Sequence, residues 1–171
     1  MRLCFVCSGN ICRSPTAEVV MQRLLEDAGL AGRVTVDSAG TGSWHVGEQA
    51  DARTRQAAKR RGLRITHRAR QLTPADLGAF DLLLAIDAGH LAHLQAMKAR
   101  HGGRAELALL RSFDPGDPGD PGDPGRPGER GDLDVPDPYY GDREGFERVL
   151  DLCETACRGL LAHVQQTLGT R

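Results

Sequence analysis

The sequence predicts an α/β fold, in which a parallel sheet carries helices on both of its faces. Short apolar runs alternate along the chain with segments whose apolar residues recur every three or four positions. One run, Phe80–Ile86, is continuously apolar, which is typical of a strand that is buried on both faces. The length of 171 residues, with 40% hydrophobic residues, fits one domain with a substantial core. Together these observations favour strands and helices in alternation, which is the pattern of parallel sheets.

The first half of the chain predicts two strands and two helices. Strand Arg2–Val6 is a short apolar run, and the amphipathic helix Thr16–Ala28 follows it. Gly29 is expected to end this helix, because glycine readily adopts the left-handed conformation found at helix ends. Strand Val34–Val36 comes next and leads into a loop, and Asp51–Arg61 is expected to form the second helix.

The second half repeats this alternation. A one-turn helix is expected to begin at Thr73–Asp76, immediately before the strand Phe80–Ile86. A helix across Gly89–Arg100 and a fourth strand near Leu107–Leu110 follow, and a long helix over Glu144–Leu168 is the last element. The carboxyl ends of such strands lie at one edge of the sheet, where ligands of α/β proteins bind.

Repeated Asp-Pro-Gly triplets interrupt this pattern at residues 114–131. Glycine occupies every third position there, as in collagen, but the segment is too short for a triple helix. We therefore expect an exposed low-complexity loop that lengthens a connection within a single domain of residues 1–171.

The charge balance and the cysteine content restrict the functional class. The formal net charge is −1, which provides no general attraction to nucleic acid or to an anionic membrane. No apolar stretch approaches the roughly 20 residues of a membrane span. The five cysteines are odd in number, and Cys4-Phe5-Val6-Cys7, at the first apolar run, is not a metal-like Cys-x-x-Cys pair, so a reducing, cytoplasmic setting is expected.

The segment Cys7–Pro15 has the arrangement that a phosphate-attacking cysteine needs. Cys7 directly follows the first predicted strand, and Arg13 comes after five intervening residues, shortly before the helical pattern. Backbone N–H groups and a helix N-terminus stabilise an anion, and an arginine can bind two phosphate oxygens at once. Such positive surroundings favour the thiolate, and the hydroxyl of Ser14 is placed to donate to it. The spacing alone arises easily by chance, so its strand-to-helix context carries the prediction.

A second candidate group lies far along the chain, at Asp137. Pro136 and Pro138 hold this aspartate on a stiff loop, and Tyr139 and Tyr140 are placed to form a pocket wall. Cleavage of a phosphate ester is easier when an acid protonates the leaving oxygen, and Asp137 can supply that proton. By itself the segment also fits a proline-rich turn, so its interpretation depends on Cys7 and Arg13.

The chain resembles the low-molecular-weight protein tyrosine phosphatases over nearly its whole length, the Asp-Pro-Gly loop excepted. Three stretches carry the resemblance, namely Val6–Pro15, Asp37–Thr41 with Trp44, and Asp137–Gly141. The resemblance implies a four-stranded parallel sheet of the flavodoxin-like, phosphotyrosine phosphatase I-like type. It also implies a monomer that needs no metal or cofactor and hydrolyses phosphotyrosine in proteins through a phosphocysteine intermediate.

The resemblance also implies a role for each site residue. Cys7 is implied as the nucleophile, Arg13 as the phosphate clamp and Asp137 as the general acid and then the general base. Three further residues, Trp44, Tyr139 and Tyr140, are implied as the walls of the substrate cleft. The implied phosphate-binding loop and its supports are Ser8, Gly9, Asn10, Ile11, Cys12, Ser14, Ser38 and His67, with Asn10 holding the loop through Ser38 and His67.

The other cysteines and histidines receive simpler interpretations. Cys12 is implied as a redox partner that forms a protective disulfide with Cys7, although a small packing residue would also fit. Cys153 and Cys157 lie four apart on the last predicted helix and are interpreted as packing residues. The remaining histidines are expected at the surface, namely His45, His90, His93, His101 and His163.

Three alternative functions remain open. Arsenate reductases of this fold relay oxidation through additional cysteines after the third strand, but no cysteine lies between Cys12 and Cys153. Protein-arginine phosphatases have a similar loop with threonine at the position of Ile11. A non-catalytic phosphate-binding module would be expected to lack Cys7 or Asp137, and both are present.

Overall fold

The computed structural model describes residues 1–116 and 133–169, and within them a four-stranded parallel sheet is flanked by helices. The strands are β1 (Arg2–Cys7), β2 (Thr35–Gly40), β3 (Leu82–Ala85) and β4 (Glu106–Leu109). The helices are α1 (Arg13–Asp27), α2 (Ala52–Arg60), α3 (Asp76–Ala79), α4 (Ala88–His101) and α5 (Arg143–Gly169). The strand order is β2-β1-β3-β4, and all three pairings are parallel, as the alternating pattern predicted.

Helices cover both faces of the sheet. Successive side chains of a strand point to opposite faces, so each strand contributes side chains to both cores. On one face, Leu3 and Phe5 of β1 pack in a core cluster with residues of α1 and α5. On the other face, Cys4 and Val6 pack with Leu94 of α4. The prediction of helices on both faces is therefore confirmed.

The strand register aligns the carboxyl ends of neighbouring strands at one edge of the sheet. Val6 of β1 pairs with Ala39 of β2 on one side and with Ala85 of β3 on the other. Cys7 lies opposite Gly40, so the first two strands end at the same level. The residues that follow these strands therefore meet at one edge.

Several element boundaries differ from the predictions; β3, for example, spans only Leu82–Ala85, and two other differences concern residues near Cys7. Helix α1 begins at Arg13 rather than Thr16, because the N–H groups of a first helical turn have no intrahelical acceptor and Pro15 is tolerated there. Strand β2 extends to Gly40, although the polar residues Asp37 and Ser38 had predicted a loop from Ser38 onward. The polar side chain of Ser38 is accommodated because it bonds to Asn10 and to α1. The predicted Asp-Pro-Gly loop lies for the most part outside the described residues.

Helix α5 closes the core and contains the two late cysteines. Its buried stripe consists of Phe146, Val149, Leu150, Cys153, Ala156, Cys157, Leu160 and Val164. Cys153 and Cys157 have no exposed surface and are free thiols, which confirms their interpretation as packing residues. Among the helices of the described ranges, none is long and apolar enough to cross a membrane.

The central strand β3 generates a stability prediction. Leu84 is fully buried, so Leu84→Ala is expected to lower the free energy of unfolding by about 2–5 kcal/mol, because it leaves a cavity. Leu107 on the edge strand β4 is only partly buried, and Leu107→Ala is expected to cost clearly less. Urea denaturation of both variants measures the difference, and equal losses would contradict this account of the core.

Candidate active site

The loop between β1 and α1 surrounds the thiol of Cys7. The side chain is only 3% exposed, and its Sγ lies 2.9 Å from Ser14 Oγ. The backbone N–H of Asn10 also donates to Sγ, at 3.3 Å. Ser14 Oγ accepts a hydrogen bond from the Asn10 side-chain amide, which leaves the Ser14 hydroxyl proton free to point at the sulfur. Two donors therefore face Cys7, and both stabilise a thiolate.

The shape of this loop depends on Asn10, which has a left-handed backbone with φ of +58°. Its side-chain nitrogen donates to Ser14 Oγ at 2.8 Å and to Ser38 Oγ at 2.9 Å. Its side-chain oxygen accepts from His67 Nε2 at 2.8 Å and from the backbone N–H of Arg70 at 3.0 Å. The contacts with Ser38 and His67 are the ones that the resemblance implied for Asn10.

Glu18 is a part of this network that sequence reasoning missed. This buried carboxylate accepts from Ser38 Oγ at 2.5 Å and lies 3.2 Å from His67 Nδ1. Burial raises the pKa of Glu18 to about 7 and lowers the pKa of His67. Glu18 is therefore partly protonated near neutral pH. An acidic residue within the buried part of α1 was the available signal.

The ligand atoms of Glu18, Asp37 and His67 lie within 4.8 Å of one another, so the cluster has the size of a metal site. Its groups already have protein partners, however. Asp37 pairs with Arg70 at 2.8 Å, and Glu18 bonds to Ser38 and His67. The cluster is therefore explained as a support for the Cys7 loop.

Arg13 is held rigidly at the base of the site. Its NH1 group contacts Asp87 Oδ2 at 2.9 Å and the carbonyl oxygen of Val135 at 3.1 Å. Its NH2 group lies 3.6 Å from Asp137 Oδ2. A buried guanidinium needs such partners, and here they also bring the loop of Asp137 to the first helix.

His90 contradicts the expectation of a surface histidine. It is 5% exposed, its Nε2 hydrogen-bonds to Ser8 Oγ at 2.8 Å, and its Nδ1 lies 2.9 Å from Asp87 Oδ1. Burial lowers the pKa of His90 to about 4, although the Asp87 carboxylate opposes this shift. Asp87 also caps α4 by accepting from the His90 backbone N–H. Asp87 follows a predicted strand and precedes His90 by three residues, which is the spacing of a helix N-cap. This spacing was the signal that could have identified His90.

Above Cys7 lies a cleft of about 270 Å³ with aromatic walls. Trp44 is 72% exposed and Tyr140 94% exposed, and Tyr139 lies beside them. Asp137 lines the same cleft, and its Oδ1 accepts a hydrogen bond from the Tyr139 backbone N–H. His45, which was expected at the surface, is partly buried and also lines the cleft.

Two glycines permit the close approach of β2 to the Cys7 loop. A Cβ atom on Gly40 would lie 2.7 Å from the carbonyl oxygen of Ser8, and one on Gly42 would overlap the Trp44 ring. The backbone N–H groups of Thr41 and Gly42 donate to the carbonyls of Cys7 and Ser8. These contacts fix the Trp44 wall relative to the nucleophile loop.

Cys12 lies at the edge of the cleft and is buried. Burial raises the pKa of this thiol to about 12, so it is protonated at neutral pH. Cys12 and Cys7 are both free thiols in this structure. A Cys7–Cys12 disulfide under oxidation therefore stays a prediction from the resemblance.

A buried cysteine on a strand-to-helix loop, with an arginine and an aspartate beside it, is the arrangement that a cysteine-dependent phosphatase needs. A sequence model of the family described as low molecular weight phosphotyrosine protein phosphatase matches residues 2–169. The chain belongs to this family, whose members are hydrolases.

Individual relatives agree with this assignment. The chain is 48% identical over 170 residues to a low molecular weight protein-tyrosine-phosphatase of Streptomyces coelicolor, covering 99% of this chain and 97% of that protein. It superposes on a protein tyrosine phosphatase of Entamoeba histolytica with a TM-score of 0.83 and 34% identity, covering 98% of each chain. A Drosophila arginine phosphatase gives a TM-score of 0.84 at 31% identity, covering 96% of this chain and 98% of that one.

The burial of His90 generates a prediction about stability and pH. Native His90 stays neutral down to a pH of about 4, whereas an unfolded histidine binds a proton below about 6.5. Acidification from pH 7.5 to 5.0 therefore lowers the free energy of unfolding, by roughly 1–2 kcal/mol from this group. His90→Asn removes this contribution, so the variant should lose less stability than the wild type on acidification.

Urea denaturation at the two pH values measures this difference. The control is His101→Asn, which changes an exposed histidine at the end of the same helix. It should lose as much stability as the wild type. Equal losses in His90→Asn and the wild type would show that His90 does not titrate as its burial requires.

Proposed function

We propose that this chain hydrolyses phosphotyrosine in proteins through a phosphocysteine intermediate, without a metal ion. One observation carries the proposal: Cys7 lies at the base of an aromatic-walled cleft whose lining also includes Arg13 and Asp137. Membership of the phosphotyrosine phosphatase family supports the same reaction.

In the first step, the Cys7 thiolate attacks phosphorus, so that an S–P bond forms while the P–O bond to the tyrosine ring breaks. The loop N–H groups and the Arg13 guanidinium bind the non-bridging oxygens as their charge develops. Asp137 donates its proton to the leaving phenolic oxygen. The contacts of Arg13 with Asp87 and Val135 hold the guanidinium in place for this role.

In the second step, water attacks the phosphocysteine. Asp137, now ionised, accepts a proton from this water, so that the S–P bond breaks and inorganic phosphate leaves. The thiolate that departs is stabilised by the Ser14 hydroxyl and the Asn10 N–H. One carboxyl group thus serves as acid and then as base.

The cleft favours an aryl phosphate. The thiol is buried, so the phosphate must be carried on a side chain long enough to reach it, and the exposed rings of Trp44 and Tyr140 stack well on a flat ring. Ile11 adds an apolar surface to the lining. Phosphoarginine is the second candidate substrate, because a Drosophila arginine phosphatase shares this fold at 31% identity.

We further propose that the protein acts as a monomer in the reducing cytoplasm. All five cysteines are free thiols, and Cys7, Arg13 and Asp137 of one chain already meet in the cleft, so a second copy is not needed to bring them together. Arsenate reduction is disfavoured, because Cys153 and Cys157 are fully buried in α5 and offer no accessible relay thiol.

A substrate comparison tests this proposal. Matched peptides containing phosphotyrosine, phosphoserine or phosphoarginine are hydrolysed side by side, in EDTA, and the released phosphate is measured. We expect the phosphotyrosine peptide to have the highest kcat/KM, since only its ring fills the aromatic cleft. A preference for phosphoarginine would assign the chain to the second candidate function.

Two controls accompany this comparison. Vanadate is expected to inhibit, because it imitates the phosphate at the transition state. Cys7→Ser is expected to lower kcat by at least about 10³-fold, since a hydroxyl is a far weaker nucleophile here than a thiolate. Activity that survives this substitution, or that disappears in EDTA, would overturn the mechanism.

The role of Asp137 is tested by the leaving group. Asp137→Ala is expected to slow phenyl phosphate, a poor leaving group, by about 10²–10³-fold, but nitrophenyl phosphate far less, because nitrophenolate leaves without a proton. Asp142→Ala removes an exposed carboxylate of the same loop and should leave this dependence unchanged. If Asp137→Ala slowed the hydrolysis of both esters equally, Asp137 would not be the general acid.

A further inference from the structure

A second concave surface lies between α2 and the segment that follows it. This basic groove has a volume of about 530 Å³, and its lining includes Gln49, Arg55, Lys59, Leu63, Arg64 and Ile65. Three of these six side chains are cationic, and none is acidic. The partly buried Leu63 and the buried Ile65 supply an apolar floor.

The cations of the basic groove are uncompensated, unlike their neighbours. On the same helix, Arg53 pairs with Asp51 at 2.8 Å, and Arg60 pairs with Glu147 at 2.5 Å. Arg55, Lys59 and Arg64 are exposed, and within the described ranges no carboxylate lies within 4.0 Å of them. Arg55 and Lys59 are four residues apart, so they share one face of α2.

The basic groove is a near neighbour of the catalytic cleft. His45 lines the cleft and Gln49 lines the groove, so their Cα atoms are at most about 14 Å apart. Hydrogen bonds between Gly47 N–H and the Ala69 carbonyl, and between Ala69 N–H and the Glu48 carbonyl, hold the intervening segment. About four extended residues of a bound peptide cover the same distance.

We propose that the basic groove binds acidic side chains of the phosphotyrosine substrate, about four to six residues from the phosphotyrosine. This inference rests on the proposed function and identifies a substrate class for the same site. Arg55 Nε donates to the Ala50 carbonyl, but no carboxylate of the described residues compensates these cations. Such positive charge attracts carboxylates, most strongly at low ionic strength. A concave surface with an apolar floor fits a peptide better than a flat membrane surface.

The experiment compares two phosphotyrosine peptides. One carries Asp and Glu about four to six positions from the phosphotyrosine on both sides, and the other carries Asn and Gln at the same positions. For the wild type, we expect kcat/KM to be about tenfold higher for the acidic peptide at low salt. The advantage should decrease as salt is added, because exposed charges are screened.

Charge-reversing substitutions then test whether the basic groove causes the preference for the acidic peptide. The double variant Lys59→Glu/Arg64→Glu should lose the preference for the acidic peptide, while its activity on nitrophenyl phosphate, which does not reach the groove, stays unchanged. Arg33→Glu/Arg100→Glu is the matched control, because it changes the net charge equally at exposed positions near the opposite edge of the sheet. This control should keep the preference.

Several outcomes would overturn the proposal. These are equal rates on the two wild-type peptides, a preference that survives in the groove variant, or a preference that the control loses equally. Binding to phosphatidylserine vesicles that requires Lys59 and Arg64, without any peptide preference, would assign the groove to a membrane surface instead. A wild type inactive on every aryl phosphate would reject the proposed function itself, which is a distinguishable result.

Discussion

The left-handed conformation of Asn10 is the constraint on which the site depends. A positive φ is unfavourable for a side chain other than glycine, and here the conformation is held by four hydrogen bonds of the Asn10 amide. Those bonds reach α1, β2 and the segment before α3. The loop around Cys7 is therefore held from three directions, and the Asn10 N–H points at the Cys7 sulfur.

Burial of polar groups is tolerated in this region because almost every group has a partner. Glu18 lies against His67 behind the loop, and Arg13 lies against Asp87 at the opposite side. An unpartnered charge in these positions would be costly, whereas a paired network specifies one arrangement. The same pairing brings the Asp137 loop to the Cys7 site through Arg13, so the contacts that stabilise this region also shape the proposed active site.

Much of the architecture, and the candidate reacting groups, could be predicted because the sequence patterns that indicate them are local. The alternation of apolar runs with helical patterns predicted the parallel sheet, and Cys7 and Arg13 occur on one short segment at a strand-to-helix turn. The predicted end of β2 was wrong because residues distant in sequence satisfy a polar side chain on that strand. Ser38 continues a strand that its polarity argued against, because Asn10 and Glu18 satisfy its hydroxyl.

The order of elements and the choice of Cys7 as the candidate nucleophile thus follow from the sequence, since both depend on neighbouring residues. The tertiary structure alone revealed the buried contact of His90 with Ser8, which are 82 residues apart, and the contact of Glu18 with His67. It also showed which arginines are paired and which remain uncompensated in the basic groove. Long-range contacts and burial depend on how the elements pack, and local sequence patterns do not predict that packing.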